Sequence, residues 1–175
     1  MKKIFVTFFG VGLIPWAPGT FGSIGGAVVA WAVLLFFPQT TLLLLGILLF
    51  LFSIKIIDAY ERDTKTHDSS HIVIDEVVGV FIAISIGGIG LEVAKTGANS
   101  GDVAGEISYL CFILALMFFR IFDIWKPSII GRIDQSVKGG LGVMLDDVIA
   151  GAIAGICVLG VIGAMMKFGL AEFIF

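Results

Sequence analysis

Two pairs of adjacent acidic residues stand at the edges of apolar segments in this sequence. Asp75-Glu76 precedes the charge-free residues 77–91, and Asp146-Asp147 precedes the charge-free residues 148–166. Ionisable groups beside such long apolar runs are costly, and they persist where they are paired, bind a metal or line a wet cavity. Carboxylates together with a phosphate and water form the coordination that Mg²⁺ prefers. We therefore interpret all four acids as candidate catalytic and metal-binding residues.

The spacing within each pair predicts different roles for its two members. Adjacent residues on a helix diverge by about 100°, so Asp75 and Glu76 are not expected to hold one ion from a single face. One acid would bind the ion while its neighbour orients water or a second metal. The alternative is that both acids only complement the dipole of the helix that they begin, which is worth about 0.3–1 kcal/mol.

Basic residues near these acids are candidate substrate-binding residues. Arg120 and Asp123 are three residues apart and share one helix face. They form either a local salt bridge or a site in which Arg120 holds phosphate oxygens with its planar fork. Lys126 and Lys138 are predicted to act as point charges toward the same phosphate. Asp123 is also a secondary metal-ligand candidate, as is Asp134, for which ordering of its loop is an alternative.

Small and titratable residues complete the predicted site. Gly139 and Gly140 allow successive backbone N–H groups to face one anion, and the helix that follows adds positive potential. A flexible linker is the alternative for these glycines. Thr20 stands at the start of a predicted helix, where its hydroxyl would reach the polar layer. His67 is a candidate proton donor or acceptor near neutral pH, unless it lies in a solvated loop.

The overall composition indicates a membrane protein. Of the 175 residues, 58% are hydrophobic and 14% are charged, and the mean hydropathy is +1.09. An ordinary soluble domain has roughly 45–50% apolar residues. The net charge of −3 and the lack of a basic run argue against nucleic acid as a partner. We expect one membrane-embedded domain, residues 1–175, because the chain is too short for a multidomain enzyme.

The apolar runs predict an all-α polytopic membrane bundle of about five transmembrane helices. A helix needs roughly 20 residues to cross the hydrocarbon core, and Pro38 divides the charge-free stretch 4–54 into a hairpin. The segment before the first helix is expected to lie along the interface or to re-enter the membrane. The predicted helices are Phe21–Phe37, Thr41–Ile57, Ile72–Leu91, Ile107–Lys126 and a last helix that opens with Asp146-Asp147 and contains 148–166.

The positions of lysine and arginine predict the orientation of this bundle. Five helices place nine of the 11 basic residues on one side and only Lys95 and Lys167 on the other. By the positive-inside rule, the N-terminus and the loops at 58–71 and 127–146 are cytoplasmic. The costly charges then converge at the cytoplasmic end of the bundle, which is where we expect a site.

Four motifs occur in order along the chain: Pro18–Ser23, Ile72–Gly79, Arg120–Pro127 and the stretch Asp134–Gly151. Together they resemble the phosphatidylglycerophosphatase A family of bacterial membrane lipid phosphatases. The resemblance covers most of the chain, from about residue 15 to residue 155. Each motif alone would be weak, and their order along the chain makes the resemblance strong.

The resemblance implies a hydrolase of phospholipid metabolism. It implies Mg²⁺-dependent removal of the terminal phosphate from phosphatidylglycerophosphate, which yields phosphatidylglycerol in the cytoplasmic leaflet of the bacterial inner membrane. The predicted orientation independently places the motifs on that side. Departures from the family pattern lie around Ser69-Ser70-His71 and in the 91–106 loop, and neither touches the paired acids.

Two other classes of protein compete with this interpretation. An ion- or proton-coupled transporter also uses membrane carboxylates, but transport sites lie near the midplane, whereas these charges gather at one end. A nonenzymatic membrane scaffold would show no dependence on a divalent metal. For an enzyme, direct water attack and an aspartyl-phosphate intermediate both stay open, since phosphoryl transfer depends mainly on positioning and charge neutralisation.

Overall fold

The computed structural model of the chain describes residues 1–66, 69–97, 109–126, 137 and 139–170. All regular structure in these residues is helical, which confirms the all-α prediction for this part of the chain. A 3₁₀ turn, Val11–Leu13, separates the first two helices. The helices are α1 (Lys2–Val6), α2 (Pro18–Leu34), α3 (Gln39–Thr64), α4 (Ile74–Gly97), α5 (Tyr109–Trp125) and α6 (Gly140–Lys167).

The five long helices lie where the apolar runs predict them, but several boundaries differ: α2 is shifted three residues toward the N-terminus, α4 continues past Leu91 to Gly97, and α3 and α6 differ most in the turns that carry charge. α3 continues past Ile57 to Thr64 because Ile57 and Tyr60 both remain buried against the bundle. α6 begins at Gly140, so Asp146 and Asp147 lie about two turns inside the helix and not in its opening turn. Charge-free runs therefore mark the apolar part of each helix and miss turns that carry charge.

In the part of the chain that the structure describes, two helices, α3 and α6, are long and apolar enough to cross a membrane by length and composition. Large apolar side chains also cover the outside of the bundle. On α3, Leu48 and Phe52 are each 62% exposed, and on α5 Ile113 is 60% exposed. A soluble protein rarely exposes large continuous apolar surfaces. This surface and the two long helices indicate association with a membrane.

Helix α4 is the centre of the bundle and packs against α2, α3, α5 and α6. Because it has neighbours on every side, its apolar residues are not confined to one stripe. Val77, Val78, Val80 and Phe81 are all at most 2% exposed, and Phe119 of α5 is fully buried as well. The four α4 residues follow directly after the acidic start of that helix, and together with Phe119 we call them the apolar layer.

Helices α4 and α6 run in the same direction and approach each other through glycines. A Cβ atom on Gly151 would collide with the carbonyl of Gly79, and one on Gly79 would lie 2.8 Å from the carbonyl oxygen of Asp147. Small residues at such positions let helix backbones come together in membrane proteins. The close approach brings the start of α4 level with Asp147.

The N-terminal segment holds the residues that lead into α4. The Val73 N–H donates to the Val6 carbonyl at 2.9 Å, and His71 Nδ1 donates to the Gly12 carbonyl at 2.9 Å. Phe9 and Trp16, at 84% and 81% exposed, project from this segment. Such exposed aromatic residues fit the prediction of an interfacial segment, which stays a prediction.

Candidate metal centre and adjoining ion pairs

Three of the four predicted acids form one cluster. Asp75 and Glu76 lie in the first turn of α4, and Asp147 lies in α6. One carboxylate oxygen from each residue lies within 4.8 Å of the other two. Asp75 and Asp147 are only 8% and 4% exposed. We call these three residues the acidic cluster.

The cluster corrects the expectation that Asp75 and Glu76 diverge too far to serve one ion. Side chains at a helix start tilt toward the N-terminus, and glutamate reaches farther than aspartate. Gly19 of α2 provides the space for this reach, because a Cβ atom there would collide with Glu76 Oε1. Both acids of the pair consequently reach the oxygen of Asp147.

The acidic cluster has the donors that a hard divalent cation requires. Glu76 Oε2 is buried without a hydrogen-bond partner among the described residues. Within that same part of the chain, no lysine or arginine forms an ion pair with Asp75, Glu76 or Asp147. Buried carboxylates that lack a cation are strongly unfavourable. The donor set therefore fits Mg²⁺ or another oxygen-binding metal.

Asp146 takes a different partner from Asp147. Its Oδ2 accepts a charge-assisted hydrogen bond from Lys126 Nζ at 2.7 Å. Lys126 lies just beyond the end of α5 with a left-handed backbone (φ +39°). Consecutive residues on α6 thus face two different neighbours, as the roughly 100° between them requires.

Arg120 forms a local salt bridge with Asp123, which was one of the two roles predicted for it. Its fork also reaches α2, where Nη2 donates to Thr20 Oγ1 at 3.2 Å and Nη1 to Ser23 Oγ at 3.3 Å. Ser23 was not among the predicted site residues. The sequence signal for it was its position one turn after Thr20 on the polar start of α2.

Asp123 connects the ion pairs to the acidic cluster. Its carboxylate acts electrostatically on both Glu76 and Asp147, and Asp146 acts on both Asp75 and Asp147. Among the described residues, the full group contains five carboxylates, and the ion pairs supply two cations, Arg120 and Lys126. If every carboxylate of this described group is ionised, its three unpaired negative charges are left for a metal ion, a proton or another cation to balance.

The glycines before α6 serve a structural purpose that the sequence did not reveal. The Gly140 N–H, predicted to face a phosphate, donates to Asp58 Oδ1 at 2.7 Å. Gly139 has a left-handed φ of +77°, and a Cβ atom on it would lie 2.7 Å from the same oxygen. A Cβ atom on Gly140 would collide with the Ile54 carbonyl. These glycines therefore let α6 begin directly against α3.

Three predicted site residues lie outside the described part of the chain. They are the candidate acid or base His67, the secondary acid Asp134 and the candidate phosphate contact Lys138. Their predicted roles stay predictions.

The helices and the buried acids define a class: all-helical, membrane-associated proteins with a candidate metal centre at one end of a bundle. The model of the phosphatidylglycerophosphatase A family matches residues 4–162. The chain belongs to this family, which confirms the resemblance drawn from the four motifs. No solved structure matches the chain.

Similar proteins carry phosphatase names. The chain is 33% identical over 153 residues to a protein of Haemophilus influenzae named phosphatidylglycerophosphatase A, covering 87% of this chain and 83% of the relative. An Escherichia coli protein of the same name is 34% identical over 146 residues, covering 83% and 74%. A Bacteroides thetaiotaomicron protein named putative phosphatidylinositol-3-phosphatase is 36% identical over 148 residues, covering 83% of each. The family identifies the chain as a phosphatase and does not favour a transporter.

Proposed function

We propose that this protein is a Mg²⁺-dependent phosphatase that hydrolyses phosphatidylglycerophosphate to phosphatidylglycerol and phosphate. The observation that carries the metal dependence is the acidic cluster, whose three oxygens lie within 4.8 Å of one another. Family membership supports the substrate. The reaction places the protein in phospholipid biosynthesis.

Asp75, Glu76 and Asp147 would hold the metal ion, with Asp146 and Asp123 close enough to bind a second ion or to orient water. A bound Mg²⁺ supplies charge neutralisation and an activated water. The buried, unpartnered Glu76 Oε2 supports this assignment. Asp134 stays a secondary candidate for the same group.

The basic residues would bind and orient the phosphate. Arg120 lies beside Glu76, since a Cβ atom on Gly19 would contact the side chains of both. Its fork is oriented by Thr20 and Asp123, which prepares the guanidinium for planar oxygens. Lys126 would add a point charge.

Lys138 would contribute a further charge at the start of α6. Gly139 and Gly140 were predicted to cradle the phosphate, but the N–H of Gly140 is already used by Asp58. We therefore assign phosphate binding mainly to the Arg120 side of the site.

The proposed setting is the bacterial inner membrane, with five helices spanning the bilayer, the N-terminus in the cytoplasm and the acidic cluster facing the cytoplasm. The support is the nine-to-two distribution of basic residues together with the two long apolar helices. In a background where Cys111 and Cys157 are replaced by alanine, reaction of Lys65→Cys or Gly169→Cys with a membrane-impermeant maleimide, applied to spheroplasts, tests this topology. Labelling of the Lys65→Cys variant from outside would contradict it.

A second substrate class follows from the Bacteroides relative, whose name refers to an inositol lipid phosphate. Both candidate substrates are phosphomonoesters on a glycerophospholipid, so the same metal and arginine would serve either. Comparing kcat/KM for phosphatidylglycerophosphate and phosphatidylinositol 3-phosphate in mixed micelles decides between them. We expect the first substrate to be preferred.

The central experiment measures phosphate release from phosphatidylglycerophosphate with Mg²⁺, with a chelator, and after Mg²⁺ is restored. We expect activity only when the metal is present. Phosphate release that continues in the chelator would contradict the metal dependence. A protein that releases phosphate from neither lipid under any of these conditions would overturn the proposed function.

A single turnover in ¹⁸O-labelled water, combined with trapping of any phosphoenzyme, tests the route of hydrolysis; because cleavage of an aspartyl-phosphate at phosphorus would also label the phosphate, the trapping decides. Direct attack places the label in the released phosphate and leaves the protein unmodified. A trapped phosphoenzyme at Asp75, Asp146 or Asp147 would instead establish an aspartyl-phosphate route. His67 or a water molecule would supply the proton to the leaving oxygen in either case.

A further inference from the structure

The beginning of α6 is fixed by a contact that belongs to neither the acidic cluster nor its ion pairs. Asp58, in the charged last turns of α3, accepts the Gly140 N–H at 2.7 Å. A carboxylate at this position satisfies one of the four free donors of a helix start and complements the positive end of the helix dipole. Asp58 therefore caps α6 from a different helix.

A second observation shows that the contact between the start of α6 and α3, which we call the junction, leaves little room for movement. Gly140 lies so close to α3 that a Cβ atom on it would collide with the Ile54 carbonyl and lie 3.1 Å from Ile57 Cβ. Gly139 enters the junction with a left-handed backbone, φ +77°. The chain consequently meets α3 through backbone contacts that tolerate only small displacements.

These contacts lie at one end of a segment whose other end is fixed on α4. Gly151 of α6 packs against the Gly79 carbonyl. Asp147 lies between the two contacts, seven residues after Gly140 and four before Gly151. At a rise of 1.5 Å per residue, a displacement at Gly140 reaches Asp147 at about a third of its size.

From this geometry we infer that Asp58 is a positioning residue for the candidate metal centre. It sets the position and rotation of α6, and thereby the placement of Asp147 against Asp75 and Glu76. The inference rests on the proposed function for its activity readout. Asp58 does not touch the three carboxylates, so its effect is on kcat, with substrate binding left largely intact.

The expected loss of kcat in an Asp58 variant follows from how strongly catalysis depends on the position of Asp147. A misplacement of 1 Å can lower a rate by about 10², and only about a third of a shift at Gly140 reaches Asp147. For a shift of about 1 Å at Gly140, we expect Asp58→Ala to lower kcat about fivefold with KM changed less than about twofold. Asp58→Asn keeps an oxygen acceptor and should restore most of the rate.

Two further variants separate positioning from loss of folding. Asp58→Glu keeps the charge but moves the carboxylate outward, so we expect it to fold and to show a reduced kcat. Asp63→Asn is the matched control on the same helix, where Asp63 is 64% exposed and pairs with Lys2. We expect the control to retain full activity.

Hydrogen exchange of the peptide covering 139–147, followed by mass spectrometry, tests the hold on α6 without any substrate. We expect faster exchange in Asp58→Ala than in the wild type or in Asp58→Asn. Unchanged exchange in Asp58→Ala would overturn the inference, as would faster exchange with unchanged kcat. Wild-type protein with protected α6 amides but no phosphate release would overturn the proposed function alone.

Discussion

The acidic cluster and the ion pairs at the end of α5 lie side by side, yet their negative charges are neutralised differently. In the ion pairs, Arg120 holds Asp123 and Lys126 holds Asp146. In the acidic cluster, Asp75, Glu76 and Asp147 approach within 4.8 Å with no such cation among the described residues.

The difference separates a group completed by the chain itself from one that needs a ligand. Arg120 and Asp123 lie three residues apart on α5, so this pair can form with the helix itself, and Lys126 of the same segment supplies the cation for Asp146 of α6. The acids of α4 and α6 meet only through tertiary packing, and they bring only negative charge. A cation from solution is therefore the natural partner of the cluster.

Neutralising one member of the cluster should have the largest effect. Asp147→Asn removes a proposed metal ligand, and a loss of several kcal/mol of transition-state stabilisation corresponds to roughly 10³ in rate. Phosphate release at saturating Mg²⁺ measures it, with Asp63→Asn as the exposed control. Full Mg²⁺-dependent turnover in Asp147→Asn would show that the cluster is not the metal site.

Separating the two helices that form the cluster should have the next largest effect. A Cβ atom in Gly79→Ala would collide with Phe119 and lie 2.8 Å from the Asp147 carbonyl oxygen. Because neither group can move freely, α4 and α6 should part, and we expect activity to fall about 10²-fold. Turnover and thermal unfolding in detergent are measured together.

Gly160→Ala is the matched control for that substitution. Gly160 also lies in a long apolar helix, α6, but nothing lies within 4 Å of an added Cβ. We expect wild-type activity and unchanged or slightly raised stability. Equal losses at Gly79 and Gly160 would show that helix composition, and not close approach, is what matters.

A smaller effect is expected when Arg120, one of the two cations in the ion pairs, is replaced by lysine. Arg120→Lys keeps the charge, but one ammonium group cannot replace a planar fork that reaches Asp123, Thr20 and Ser23 together. We expect kcat/KM to fall about tenfold, mainly through a higher KM. Unchanged kinetics would mean that Arg120 serves only as a structural salt bridge.

The sequence revealed the acids of the cluster but not the contacts that position them. Asp75, Glu76 and Asp147 were identifiable because carboxylates beside apolar runs are costly. Their convergence on one ion was not, because it depends on the reach of Glu76 past Gly19. Only folding brings Glu76 next to Gly19.

Asp58 and Gly79 show a second limit of prediction from sequence: the partner of a contact residue cannot be identified. Asp58 looks like an ordinary solvated acid at the end of an apolar run, and its role depends on Gly140, 82 residues away. Gly79 has signals of its own, since Gly79, Ala83 and Gly87 recur at four-residue spacing, as do Gly151 and Gly155. Spacing of this kind predicts close packing but does not identify the partner helix.

The smallest effect is expected at an exposed ion pair that belongs to neither group. Lys2 pairs with Asp63 at 2.9 Å, and the two side chains are 48% and 64% exposed. Exposed pairs contribute little, so Lys2→Ala should leave turnover unchanged and shift the melting temperature by less than about 3 °C. A larger loss of activity would assign the N-terminal segment a direct role at the site.

The apolar layer beyond the acids bears on the permeability of the membrane. Val77, Val78, Val80, Phe81 and Phe119 are at most 2% exposed, and side chains packed this closely leave little room for a water chain. In a bilayer, charged substrate and inorganic phosphate would then enter and leave at the same end of the bundle. Such an enzyme would turn over a highly charged headgroup while the proton and ion gradients across the membrane are preserved.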